Sequence, residues 1–268
     1  MQHGPFWKIA VIFLSFLLAG ALGETAEAKT PVLKLTVVYN NIPCDSRLRT
    51  GWGFSCIVEG TDQTILFDTG ADADILLGNM TLMGIDPASV NTVFLSHIHG
   101  DHVGGLEGFL KRNPHVTVYL PESFPLSFRE AIIGYGAKYR AVGKPVRLFD
   151  SVYSSGELGD WLKEQALIVE TSTGLVIITG CAHPGIVNVV REAKARFEKD
   201  IYLVMGGFHL LGKTSVQIRE IIGALKGLDV KKVAPSHCSG EQAILLFKEA
   251  WKDNFLESGV GAVIEVPR

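Results

Sequence analysis

The segment Ser96-His97-Ile98-His99-Gly100-Asp101-His102 places three imidazoles and a carboxylate within six consecutive positions. It follows Val93-Phe94-Leu95, an apolar run whose length and residue types predict a strand from Thr92 to Leu95. Side chains two apart in extended chain project the same way, so His97 and His99 converge on one ligand. Gly100 permits a tight turn, after which Asp101 and His102 face a neighbouring position. Together these residues predict a metal site.

Three further apolar runs end in small residues and then a histidine. Leu175 to Ile178 lead to His183, Tyr202 to Met205 to His209, and Lys232 to Ala234 to His237. Layered α/β proteins open their ligand sites at the carboxyl ends of strands, so four such ends predict a single polynuclear centre. Four donors in one loop, joined by His183 and His237, exceed the tetrahedral shell of one zinc. The count predicts two divalent ions, with His97, His99 and His183 around the first and Asp101, His102 and His237 around the second. Imidazole-rich sites suit zinc, with manganese and iron(II) as alternatives. A pair of ions ~3.5–4 Å apart can hold a hydroxide and polarise a carbonyl or phosphoryl oxygen. The chain has no G-x-S-x-G nucleophile elbow.

The rest of the chain frames this site. Lys8, the uncharged apolar run Ile9 to Leu22 and the small-x-small pattern Ala26-Glu27-Ala28 read as a secretory signal over residues 1–28. A span needs ~20 apolar residues, so cleavage is favoured over a retained anchor, with no stable membrane span afterwards. The expected location is periplasmic or extracellular. A formal net charge of −3 offers no basic surplus for nucleic acid and leaves a small-molecule substrate as the expected partner. Oligomeric state is not legible. Export makes disulfides conceivable, and Cys44 and Cys56 are near enough in sequence to pair. For Cys181 and Cys238, buried thiols or a disulfide are favoured over metal ligation, because the histidines already supply enough donors.

Residues 29–268 carry no Pro/Ser/Gly linker and predict one α/β domain. A strand-rich first half (Val32 to Tyr39, Phe54 to Glu59, Thr64 to Phe67) precedes a half in which strands alternate with helices. That pattern predicts two sheets face to face with helices outside. A helix is expected near Ala73 to Met83. Thr214-Ser215-Val216-Gln217 and Ser239-Gly240-Glu241-Gln242 each read as a capping box before a helical stripe. A third stripe, Ile186, Val189, Val190, Ala193 and Phe197, starts after Pro184. Pro121 to Trp161 fits neither pattern and is expected to form a helical excursion or rim. His115 reads as a solvated turn residue; Trp52, Phe54, Tyr135, Tyr139 and Arg140 could line a substrate pocket, with core or rim packing favoured for each.

The motif Ser96 to His102, with Phe67-Asp68-Thr69-Gly70 before it and His183 and His237 after it, resembles the metallo-β-lactamase superfamily. The resemblance implies a four-layer αββα sandwich, a dinuclear centre at one sheet edge, and Asp68 bracing the histidine loop. Gly53-Phe54-Ser55-Cys56, Gly180-Cys181-Ala182-His183, Gly206-Gly207-Phe208-His209 and Ser236-His237-Cys238-Ser239-Gly240 are similar to a branch of 7,8-dihydropterin-6-methyl-4-(β-D-ribofuranosyl)aminobenzene 5'-phosphate synthase-like proteins. Many superfamily members bridge the two ions with the Asp of a Gly-Asp pair after the third apolar run. Here that place reads Gly206-Gly207. His209, two residues on, has three roles open to it: ligand, substrate contact or proton donor. The implied activity is metal-dependent hydrolysis of an ester, lactone, amide or phosphoester, with Asp101 and His209 as the catalytic candidates. A pterin-linked synthase, an iron-dependent redox enzyme and a non-catalytic metal-binding module are the alternatives.

Overall fold

The computed structural model describes residues 1–4 and 32–268; the expected signal segment falls mainly outside them. No described helix is long and apolar enough to cross a membrane. The strands, in chain order, are β1 (Val32–Asn40), β2 (Phe54–Glu59), β3 (Ile65–Phe67), β4 (Thr92–Phe94), β5 (Thr117–Pro121), β6 (Lys138–Val142), β7 (Val146–Phe149), β8 (Val152–Ser154), β9 (Leu167–Thr171), β10 (Gly174–Thr179), β11 (Ile201–Gly207), β12 (Lys232–Ser236) and β13 (Val263–Pro267). They form a seven-stranded sheet, β13-β1-β2-β3-β4-β5-β6, and a six-stranded sheet, β12-β11-β10-β9-β8-β7. The helices are α1 (Ala73–Leu82), α2 (Gly100–Val103), α3 (Leu106–Arg112), α4 (Leu126–Gly134), α5 (Ile186–Phe197), α6 (Ser215–Gly227) and α7 (Glu241–Trp251).

Three separate cores define four layers. Between the sheets, Phe54, Cys56, Phe67 and Phe94 of one face Val176, Ile178, Leu203 and Met205 of the other. Outside the first sheet, Ile57, Leu66 and Val93 pack on Leu76, Phe109 and Ile132 of α1, α3 and α4. Outside the second, Leu175, Ile177 and Val204 pack on Val190, Ile222 and Phe247 of α5, α6 and α7. Alternation along each strand therefore feeds two different cores, so both faces are buried and the strands read as unbroken apolar runs. This is the αββα sandwich.

Two local expectations are corrected. Pro121 to Trp161 is more than a helical excursion: after α4 it supplies β6, the edge of the first sheet, and β7 and β8, the outer strands of the second. Their exposed positions, such as Lys138, Arg140, Val146 and Arg147, blur the apolar run expected of a buried strand. The Thr214–Gln217 capping box forms, but the second does not. Gly240 occupies the N-cap of α7, and Ser239 Oγ instead accepts from Phe208 N at 3.1 Å.

The parallel strands β3, β4, β10, β11 and β12 set the site. β3 and β4 run parallel in one sheet, and β10, β11 and β12 in the other. Their carboxyl ends meet at one rim and carry Asp68, His97, His183, His209 and His237.

Candidate metal centre

The chain must turn sharply where it leaves these strands. Asp68, Ala182, His209 and His237 all adopt positive φ, between 50° and 58°. Left-handed backbone costs an L-residue ~1–2 kcal/mol, and here four such residues cluster at one rim. Packing on either side holds the turns. Thr69 donates from its amide and its hydroxyl to His102 O, at 2.7 and 2.9 Å, tying the turn after β3 to α2.

Asp68 is fully buried and organises the histidine loop. Its carboxylate accepts from Ser96 N, Ser96 Oγ and His102 Nδ1, each at 2.7 Å. Because the Ser96 hydroxyl gives its hydrogen to Asp68, its oxygen accepts from His97 Nδ1 at 2.9 Å. His237 Nδ1 likewise donates to Asn41 Oδ1 at 3.0 Å. The network assigns the proton of all three rings to Nδ1 and turns the Nε2 lone pair towards the site, the tautomer that binds metal. The bracing role expected of Asp68 is the one its contacts describe.

The inward-facing atoms lack protein partners. His97 Nε2, both ring nitrogens of His183 and His237 Nε2 are buried without a hydrogen bond. Unpaired buried polar atoms are costly, and several converging on one point mark a place for a cation. Burial and the neighbouring imidazoles hold His97 well below its usual pKa. Burial, reinforced by His209, brings His183 to about 4. Both rings are thus neutral at pH 7, as ligation requires. Burial opposes charge on His102, yet Asp68 overrides it and raises that ring's pKa. A divalent ion competes with that proton for the same lone pair.

The sequence-predicted residues come together. The donor atoms of Asp101, His102, Cys181 and His237 lie within 4.8 Å of one another, as do those of His97, Cys181 and His183. Asp101 Oδ2 is 3.2 Å from His237 Nε2 and 3.6 Å from His102 Nε2. The His99 ring is 4.8 Å from that of His97 and 4.9 Å from that of His183. His209 stands at the exposed side, its ring 4.3 Å from that of His183. A hydrogen bond with Cys238 raises its pKa. The residues present fit two divalent ions. His115 is exposed, away from this group.

Of the cysteine expectations, buried thiols at Cys181 and Cys238 are what the structure shows, and a Cys44–Cys56 pair is not. All four are free thiols, so Cys44 and Cys56 form no bridge. The Cys181 sulfur stands among the metal donors, 3.2 Å from His102 Nε2. Other contributors were hidden in the sequence. Buried Glu164 accepts from the amides of Cys181, Ala182 and His183 at 2.8–2.9 Å, fixing the turn that carries His183. Burial pushes its carboxyl pKa up, while those amides oppose the shift. Trp52, 51% exposed, packs 4.8 Å from His237, and Trp161, 80% exposed, 5.8 Å from His183. The run Gly207 to Thr214 also spells G-x-x-x-x-G-K-T, the letters of a phosphate-cradling loop. Most of its amides are already engaged: Phe208 with Ser239 Oγ, Leu210 and Leu211 with Cys238 O, and Lys213 with Leu210 O.

Sandwich and donor set define a metallo-hydrolase fold with a histidine-rich metal centre. A family model of the metallo-beta-lactamase superfamily matches residues 52–197, and the chain belongs to that superfamily. Within it, the chain is 32% identical, over 80% of its length and 89% of the relative's, to the 7,8-dihydropterin-6-methyl-4-(beta-D-ribofuranosyl)-aminobenzene-5'-phosphate synthase of Methanocaldococcus jannaschii. A crystal structure described as a metal-dependent hydrolase of the beta-lactamase superfamily superposes with a TM-score of 0.76 at 27% identity, covering 88% of this chain and all of that one. Human tRNase Z, short form, shares the fold at a TM-score of 0.59 and 15% identity, covering 88% of this chain and all of that one.

Proposed function

We propose that this chain is an exported, dinuclear metal-dependent hydrolase acting on an ester, lactone, amide or phosphoester bond of a small molecule. The observation that carries the reading is the set of buried, unpartnered imidazole nitrogens of His97, His183 and His237 converging beside Asp101 and His102. Divalent ions held there, most simply zinc, would supply the Lewis acidity that brings a water pKa towards ~7. His97, His99 and His183 would hold one ion, and Asp101, His102 and His237 the other.

The protein's own groups do the rest. His209 stands at the open side beside His183, where its imidazole can give a proton to a departing oxygen or nitrogen. Trp52 and Trp161 offer exposed ring faces on either flank, suited to a flat or apolar part of the substrate. A cavity of about 210 Å³ beside His183 and His209, lined by Ile186, Val187, Phe208 and Lys213, gives room for a further substituent.

The test is metal analysis of the purified protein, then a panel of chromogenic esters, lactones and phosphodiesters, with Asp101→Ala as control. Turnover that falls by at least about 100-fold in the variant is expected, the loss of a group held at the reacting centre. Full metal loading with no turnover on any class would overturn hydrolysis. A second reading rests on the 32% identity across most of the chain to a synthase: formation of a pterin-linked ribofuranosyl-aminobenzene phosphate. Binding of a dihydropterin, followed by its fluorescence, would favour it. Export is tested by the amino-terminal sequence of the processed protein, expected to begin at Lys29.

A further inference from the structure

We propose that Cys181 is the shared ligand of the two metal ions, its thiolate standing where most of the superfamily uses a bridging carboxylate. The inference rests on the dinuclear reading above. Three observations converge on it. First, Cys181 belongs to all three donor groups: its sulfur lies within 4.8 Å of donor atoms of Asp101, His102 and His237 on one side, of His97 and His183 on the other, and of His209 and Cys238 at the open side. Among the described residues, no other donor belongs to more than one group.

Second, the separations come within a few tenths of an ångström of a coordination shell. Tetrahedral zinc, with bonds of ~2.0–2.1 Å to nitrogen or oxygen and ~2.3 Å to sulfur, sets ligand-to-ligand edges of about 3.3–3.6 Å. The Cys181 Sγ to His102 Nε2 distance is 3.2 Å, and Asp101 Oδ2 lies 3.2 and 3.6 Å from His237 and His102 Nε2. Third, the usual bridge has no room. A Cβ at Gly207 would meet Gly180 O at 2.3 Å, Cys238 Sγ at 2.7 Å and Cys181 Cα at 3.1 Å. A side chain at 207 would run into the turn that carries Cys181, so the missing carboxylate and the present sulfur are two sides of one substitution.

Cys181, His102 and Asp68 also line up as a thiol, imidazole and carboxylate in sequence, which on an open surface would suggest a nucleophile. Cys181 is 3% exposed and faced by imidazoles on two sides, an arrangement for a cation rather than for a substrate carbonyl. On ligation the S–H bond breaks, sulfur–metal bonds form and one proton passes to the buffer. Nothing is oxidised or reduced.

Cobalt(II) is the probe. The full chain, stripped of metal and reloaded with cobalt, should bind two ions and show a near-ultraviolet thiolate-to-cobalt charge-transfer band. Cys181→Ser should lose the band and bind cobalt at least about tenfold more weakly, more than losing a group that merely braces a ligand. Cys238→Ser should keep the band. If Cys181→Ser misfolds, X-ray absorption of the unmutated, cobalt-loaded protein gives the answer: a metal–sulfur shell at about 2.3 Å should appear. Two bound ions without the band, a band that survives in Cys181→Ser, or two bound ions with no metal–sulfur shell would each overturn the thiolate bridge and leave the dinuclear centre standing. No bound cobalt at all would overturn both.

Discussion

Asp68 shows how a residue that points away from the ions can govern them. One buried carboxylate receives three hydrogen bonds, and through Ser96 it also orients His97, so two rings take their tautomer from it. Replacing it by alanine strands the Ser96 amide and the His102 Nδ1 proton in a dry interior, where each unpaired group costs ~1–3 kcal/mol. We expect Asp68→Ala to lower unfolding stability by roughly 3 kcal/mol in the metal-free protein, read from the urea midpoint. Metal affinity should fall about 10–100-fold, read by competition with a chelating dye. Unchanged affinity would show that the rings hold their orientation without it. Gly180 explains why the packing around this carboxylate is so tight. A Cβ there would meet Ser96 Oγ at 2.0 Å and Asp68 Oδ2 at 2.9 Å, so any side chain pushes into the bracing network. Gly180→Ala should therefore destabilise the fold by ~1–3 kcal/mol and weaken metal binding together, as read by the same urea and dye titrations.

At the scale of elements, two nearly identical sequence signals lead to different structures, and the difference is measurable. Thr214 caps α6 by accepting from Gln217 N at its hydroxyl, and its own amide donates to Gln217 Oε1 in return. Ser239 spends its hydroxyl on Phe208 N, one residue before His209, and α7 starts from Gly240. Thr214→Ala should cost about 1 kcal/mol, the ordinary value of an exposed cap, without touching metal binding. Ser239→Ala should cost ~1–3 kcal/mol, because a buried amide loses its partner, and should disturb the turn that presents His209. Equal, small effects in a denaturant titration would contradict this assignment. The comparison also marks what local sequence can convey. Capping boxes, apolar stripes and strand lengths are short-range signals, and α1, α5, α6 and the central strands follow them. Ser239 answers to Phe208, 31 residues away in the chain, and the edge strands β6 and β7 have one face in solvent, so neither was legible locally.

Across the whole molecule, the site was legible because the strands are buried on both faces. Each apolar run ends abruptly at the rim, and a candidate metal donor follows within a few residues. What the reading of the chain lacked was depth between the sheets: that Cys181 faces His102, that Glu164 gathers three amides, and that Asn41 orients His237 are all contacts between distant segments. The same geometry would make bound ions part of the fold. His97, His99, Asp101 and His102 follow the first sheet and His183 and His237 the second, so cations gripped by both groups tie the sheets together at one rim. A ligand that binds only the folded state adds RT ln(1 + [L]/Kd), or ~4 kcal/mol at a thousandfold excess over Kd. For a chain of this size each kcal/mol moves the melting temperature by ~2–4 °C, so saturating zinc should raise it by about 8–16 °C over the chelated protein. Calorimetry with and without a chelator measures this, and restoring zinc should return the transition to its higher temperature. Coincident melting curves would mean that the donors at the rim hold no ion tightly enough to join the two sheets.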